Sequence, residues 1–197
     1  MNYSVDSLTD GCYPGTTVLI NKFDQHSQED LDAVEGTLVP AKSALWAQSP
    51  QAETFDLAHY CALHHYLFED IYPWAGKVRT VDISKIGTQF CPADRIPKMA
   101  QAVFGRLAAR KYLVGLRKAE FVPALVDLYE RTNELHPFRE GNGRTQRAFL
   151  TQLAQHAGYR LDFTCVYPDD LMIATIQAAG GVDDLLHQLF AEMVTPR

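Results

Sequence analysis

The chain has 197 residues and a formal net charge of −6, from 18 Lys and Arg against 24 Asp and Glu. Hydrophobic residues make up 47% and charged residues 21%, the ordinary balance of a globular protein with enough apolar side chain for one well-buried core. The acidic balance excludes broad binding to nucleic acid or to an anionic membrane, because phosphate contacts need clustered cations. No apolar run is long enough to span a bilayer, and MNYSVDSLTDG lacks the basic-then-apolar pattern of a secretion signal.

A cytoplasmic protein of one domain, 1–197, is expected, since no repeat, low-complexity stretch or Ser/Pro-rich linker divides the chain. Cys12, Cys61, Cys91 and Cys165 are scattered without a CxxC pair. They read as reduced, mostly buried thiols and not as disulfides or a zinc site.

Residues 1–26 are polar and turn-rich and should form an irregular lead-in. A helix is expected over 27–48, opened by the N-cap candidate Ser27 with Glu29, Asp30 and Asp32 complementing its dipole, and kinked or divided at Pro40. A second helix over 55–72 should bury a face made by Leu57, Cys61, Ala62 or His64, Leu67 or Phe68, and Ile71, with PWAG as its stop. His64 and His65, being adjacent, point to different faces and read as core or surface histidines, not as metal ligands. Tyr66, Phe68, Tyr72 and Trp74 read as core aromatics. Between 77 and 91 the character changes: Val78, Thr80, Val81, Ile83, Thr88 and Phe90 favour strand and Gly87 favours a turn, so a short β-hairpin is expected. Helices should resume at about 94–111, 118–135, 143–157, 168–179 and 182–194. The reading is an all-α helical bundle with one short β-hairpin.

One stretch concentrates chemistry. Residues 136–147 read HPFREGNGRTQR, where Pro137 breaks one helix and a new helix opens near Arg144. Glycines in such a loop let backbone N–H groups turn inward, and the helix N-terminus adds partial positive charge, which together favour an anion such as phosphate. Arg144 and Arg147 lie on one face of the first turn, where cations oppose the dipole unless an anion sits between them. Glu140 could hold Mg²⁺ bridging phosphate oxygens. His136, at the helix-to-loop break, could take a proton from an attacking hydroxyl. Neither GxxxxGK[ST] nor a dinucleotide GxGxxG fits. Base, metal carboxylate, anion hole and arginine clamp point to phosphoryl or nucleotidyl transfer.

HPFREGNGRTQR resembles the defining motif of the Fic family, HxFx[DE]GNGRxxR, at every fixed position. IYPWAGKVRTVDISK (71–85) resembles the family's lead into its β-hairpin flap, LHPFREGNGRTQRAFLTQLAQHAGY (135–159) reads as one family block, and YPGTTVLINKF is similar to the lead-in of bacterial Fic toxins. The resemblance implies a Fic-fold helical bundle that transfers AMP from ATP–Mg²⁺ to a hydroxyl side chain of a target protein. It implies His136 as general base, Phe138 as a core anchor and Glu140 as the Mg²⁺ ligand. Gly141, Asn142 and Gly143 would line the anion hole, and Arg144 and Arg147 would hold the β- and γ-phosphates.

The flap around Ser84, Lys85, Ile86 and Gly87 would dock the target by strand addition. The adenine side is expected near IQAAGGVDD, with Ala178 and Ala179 leaving it lined by backbone and small side chains. Many family members carry an inhibitory helix with [ST]xxxE[GN]. Here Glu35-Gly36 is preceded by Leu31 where Ser or Thr should stand, so the motif is absent. That resembles toxins restrained by a separate small antitoxin and acting on the ATPase subunits of DNA gyrase and topoisomerase IV. Two alternatives stay open: a kinase of the death-on-curing type or another phosphoryl or phosphocholine transferase on the same fold, against which Gly143 speaks, and a non-catalytic helical binding module.

Overall fold

The structure is a computed structural model that describes residues 4–5, 11–48, 53–85 and 88–197. Its elements run β1 (Ser4–Val5), α1 (Gln28–Gln48), α2 (Leu57–Phe68), β2 (Ile83–Lys85), β3 (Thr88–Gln89), α3 (Ile96–Ala109), α4 (Lys118–Leu135), α5 (Asn142–His156), β4 (Tyr159–Leu161), α6 (Pro168–Ala179), α7 (Asp184–Met193) and β5 (Val194–Pro196). The helical bundle expected from the sequence is what forms. No helix among the described residues is long and apolar enough to cross a membrane.

Pro40 does not divide α1, which runs unbroken through it. The proline removes one N–H bond, and the residue four back that must accommodate its ring is Gly36. Burial of Leu31, Val39 and Trp46 against the rest of the core holds the helix across the defect. The buried face of α2 also differs from expectation. It carries Tyr60, Leu63, His64, Leu67 and Phe68, while Leu57 and Cys61 are only partly covered and Ala62 is exposed. Asp56 caps it, its carboxylate accepting from the His59 N–H at 2.8 Å. Cys12 and Cys91 are buried, Cys61 is partly so and Cys165 is exposed, and all four are free thiols.

The hairpin is shorter than 77–91, because the Arg79 and Cys91 N–H groups donate to the Pro137 and Glu134 carbonyls around the end of α4 instead of to each other's strand. β2 pairs antiparallel with β3 on one side (Ser84 with Gln89, Lys85 with Thr88) and with β1 on the other (Ser4 with Ser84, Val5 with Ile83). Part of the lead-in read as irregular is therefore strand. Because β2 is central, the edges left for an added strand among the described residues are those of β1 and β3. A second sheet escaped the sequence reading: β4 and β5 pair over Tyr159–Leu161 and Val194–Pro196, closing the C-terminus onto the end of α5.

The core that supports the motif is aromatic. Phe138 is fully buried, stacked on His64 with 3.8 Å between ring centroids and on Tyr60 at 5.6 Å. Phe68 and Tyr72 are buried as expected, and Tyr66 and Trp74 partly so.

Candidate active site

His136 ends α4 in a left-handed conformation (φ 39, ψ 60), unusual for a residue with a side chain. Its Nδ1 lies 3.1 Å from the Asn133 carbonyl. A carbonyl only accepts, so Nδ1 carries the proton and Nε2 is the unprotonated nitrogen of the neutral ring. The Phe90 ring lies flat on the imidazole, 3.7 Å between centroids at 14°.

The next turn of chain is closed by Asn142. Its amide accepts from the Phe138 N–H at 2.8 Å and donates to the Phe138 carbonyl at 2.7 Å. The Asn142 side chain is thus consumed in shaping the loop, and only its backbone faces outward chemistry. Of the two glycines, only Gly141 has positive φ (79°). A Cβ there would sit 2.4 Å from Phe68 Cζ, whereas a Cβ on Gly143 would meet only Arg147 Nη1 at 3.4 Å. Gly141 is required by the fold, and Gly143 keeps space clear in the first turn of α5. The N–H groups of Asn142, Gly143 and Arg144 lie in that turn, where a helix offers them no internal acceptor.

Glu140 presents Oε1 to the Gly141 N–H at 2.8 Å and to Arg144 Nη2 at 3.2 Å. Its carbonyl accepts from His64 Nε2 at 3.0 Å, and His64 Nδ1 accepts from the Gly76 N–H at 2.8 Å. Those two bonds need a neutral ring. Burial is the main cause that pushes the His64 pKa down to about 4, with Arg144 and His65 adding to it. His64 is the core histidine expected, and His65 faces solvent beside Glu69.

The unfolded His64 titrates near 6.5 and the folded one near 4, so the unfolded state takes up the proton first. Stability is full above about 6.5 and falls as pH drops toward 4, by up to roughly 3 kcal/mol. Urea midpoints measured from pH 7.5 to pH 4.5 should fall more steeply for the wild type than for His64→Phe. Equal slopes would show that His64 does not stay neutral in the fold.

The arginines differ in setting. Arg144 Nη1 is 2.7 Å from Glu35 Oε2, and the Tyr72 hydroxyl donates to Glu35 Oε1 at 2.5 Å. Its guanidinium also lies over the Phe68 ring at 4.8 Å. Burial opposes its charge, but Glu35 and Glu140 outweigh burial and raise its pKa. Arg147 forms no ion pair among the described residues. It is exposed as a residue, yet the burial of its charged end, helped by Arg144, lowers its pKa.

Both arginines line a cavity of about 410 Å³ between α1 and α5, with Val39, Trp46 and Gln152 among its walls. A second cavity of about 450 Å³ is lined by Gln89 and Phe90 at the hairpin, Asn133 and Glu134 on α4, and Ala178 and Ala179 on α6. It lies where the sequence expected the adenine side. Of the flap residues, Ser84 and Lys85 fall in central β2, while Ile86 and Gly87 lie outside the described residues.

Sequence reasoning did not connect three groups to the motif: Glu35, His64 and Arg79. Each reaches the motif from a distant segment. Glu35-Gly36 was visible as an acid–glycine pair, but nothing local marked it as the partner of Arg144.

The Fic/DOC family model matches residues 54–154, which includes the whole motif. The chain belongs to the Fic/DOC family. A protein of Sinorhizobium fredii called "Probable protein adenylyltransferase y4lH" is 39% identical over 173 residues, 86% of this Fic chain and 88% of that one. "Probable protein adenylyltransferase Fic" of Escherichia coli is 35% identical, covering 93% and 90% of the two chains. Among solved structures, the BepC protein of Bartonella tribocorum with bound AMPPNP superposes with a TM-score of 0.89 at 26% identity. The match covers 95% of this chain and 97% of that one. This Fic chain is an enzyme, a transferase of the protein adenylyltransferase class.

Proposed function

We propose that the chain acts as one Fic domain that transfers AMP from ATP–Mg²⁺ to a Ser, Thr or Tyr hydroxyl of a target protein. The observation that carries this reading is the His136 Nδ1 contact with the Asn133 carbonyl at 3.1 Å, which commits Nδ1 as a donor and leaves Nε2 to take a proton, at the loop that opens into the first turn of α5. The target hydroxyl oxygen attacks the α-phosphorus and its proton goes to His136 Nε2. The bond from the α-phosphorus to the bridging oxygen breaks, and pyrophosphate leaves. The N–H groups of Asn142, Gly143 and Arg144 receive charge developing on phosphate oxygens, and Arg144 and Arg147 hold the β- and γ-phosphates.

The residues present fit Mg²⁺. No group of three or more His, Cys, Asp or Glu among the described residues could hold a metal by itself. A site with one carboxylate, Glu140, suits an ion carried largely by substrate phosphates. When bound there it would neutralise phosphate charge.

Target docking would use strand addition at the hairpin edge. The α1–α5 cavity and Arg147, which forms no ion pair among the described residues, support restraint by a separate small antitoxin, whose inhibitory helix would bring the missing [ST]xxxE[GN] glutamate. In that role the chain is a cytoplasmic toxin acting on DNA gyrase or topoisomerase IV ATPase subunits.

Purified protein is incubated with Mg²⁺, bacterial lysate, and either α-labelled or γ-labelled ATP. Label should enter protein from the α-phosphate only. Label from the γ-phosphate alone would replace this reading with phosphoryl transfer, and label from neither would favour a binding module.

A further inference from the structure

Arg79 is a buried cation with no part in that reaction scheme. Its side chain is fully covered, and its one carboxylate neighbour among the described residues, Asp82, stands at 4.0 Å. Burying a guanidinium costs several kcal/mol unless its donors are well satisfied. Here the acceptors are carbonyls from three segments. Nε donates to His136 at 2.8 Å, Nη1 to Val81 at 2.7 Å, and Nη2 to Cys91.

The backbone repeats the pattern: the Arg79 N–H donates to the Pro137 carbonyl at 2.8 Å and the Cys91 N–H to the Glu134 carbonyl at 2.9 Å. Both legs of the hairpin therefore end on the residues that flank His136. Phe90, one residue from Cys91, covers the imidazole face. A left-handed histidine persists only where its surroundings over-determine it, and these contacts come from one element, the hairpin base.

We propose that Arg79 and Phe90 form a positioning unit through which the base of the hairpin sets the His136 imidazole. Arg79 pins the His136 carbonyl, and Phe90 fixes the plane of the ring. The proposal rests on His136 being the general base. It adds that the element expected to dock the target also orients that base. Lysine cannot replace Arg79, because a single ammonium does not present the planar fork that reaches three carbonyls.

The test compares wild type, Arg79→Lys and Phe90→Ala. Initial rates of AMP incorporation from α-labelled ATP into bacterial lysate are measured across ATP concentrations, with calorimetric binding of AMPPNP–Mg²⁺ alongside. Misplacement of the base should lower the maximal rate by about tenfold to a hundredfold. In Arg79→Lys the KM for ATP and the AMPPNP affinity should stay within about threefold of wild type, whereas Phe90 borders the adenine-side cavity and Phe90→Ala is read by its maximal rate at saturating ATP.

A folded variant that keeps the wild-type maximal rate, or loses rate only through KM for ATP, overturns the proposal. If Arg79→Lys fails to fold, Phe90→Ala decides, since it removes no buried charge. The ¹⁵N shifts of the His136 ring give a readout independent of activity: one Nδ1–H tautomer in wild type and a mixture in the variants. Unchanged shifts in the variants also overturn it. A wild type that labels nothing yet shows the expected shifts would instead sink the adenylyl-transfer reading.

Discussion

Replacing His136 with alanine should lower AMP incorporation by about 10²- to 10⁴-fold, the range that a positioned general base contributes. The affinity for AMPPNP–Mg²⁺ should change little. The imidazole Nδ1 faces Asn133 and its ring faces Phe90, whereas the first turn of α5 and its arginines are built by Asn142, Gly141 and Glu35. The substitution removes the proton acceptor and leaves the phosphate-facing groups standing. It also relieves a side chain from a left-handed position, so a modest change in melting temperature in either direction is compatible with this account. Transfer that survives His136→Ala at more than a tenth of the wild-type rate would mean that another group takes the proton.

Gly141→Ala should damage fold and activity together. At φ 79° an alanine pays a left-handed backbone penalty of about 1 kcal/mol. Its Cβ would also stand 2.4 Å from Phe68 Cζ and 2.5 Å from Phe68 Cε2. Phe68 has nowhere to go: it is fully buried, stacked on His64 at 4.7 Å and under the Arg144 guanidinium at 4.8 Å. Overpacking of this kind costs roughly 1–3 kcal/mol, so a combined loss of about 2–4 kcal/mol is expected in denaturant unfolding. The loop can relieve the clash only by moving Glu140 or Arg144, which ends transfer as well.

Gly143→Ala is the informative contrast. Its Cβ would meet one atom at 3.4 Å, Arg147 Nη1, so stability should hardly change while phosphate approach to the helix N-terminus is hindered. A Gly141→Ala protein with wild-type stability would show that the Phe68 wall yields more easily than its packing indicates.

How much of this was legible in the sequence depended on range. The motif could be read because its parts are neighbours: Glu140, Gly141 and Arg144 interact within one helical turn. The helices of the bundle were legible for the same reason, since periodicity is local. What escaped depends on pairing across the chain. β4 and β5 are three-residue strands that meet across more than thirty residues, too short to carry an alternating pattern. Pro40 signalled a break that packing around Val39 overrode.

Glu35, His64 and Arg79 looked like an ordinary helix acid, a core histidine and a strand cation. Only the fold brings Glu35 onto Arg144, His64 onto the Glu140 carbonyl and Arg79 onto the His136 carbonyl. Arg147 forms no ion pair among the described residues. The first motif arginine, by contrast, is held by Glu35 and Tyr72 inside this chain.

In the proposed adenylyl transfer, His136 faces the α-phosphate while the β- and γ-phosphates lie at Arg144 and Arg147. A crystal structure of the protein with AMPPNP and Mg²⁺ tests it most directly. The α-phosphate is expected within reach of His136 Nε2, the metal against Glu140, and the terminal phosphates against the two guanidiniums, with adenine in the cavity beside Phe90, Ala178 and Ala179. A nucleotide bound the other way round, with its γ-phosphate at His136, would contradict the account and make the site one for phosphoryl transfer.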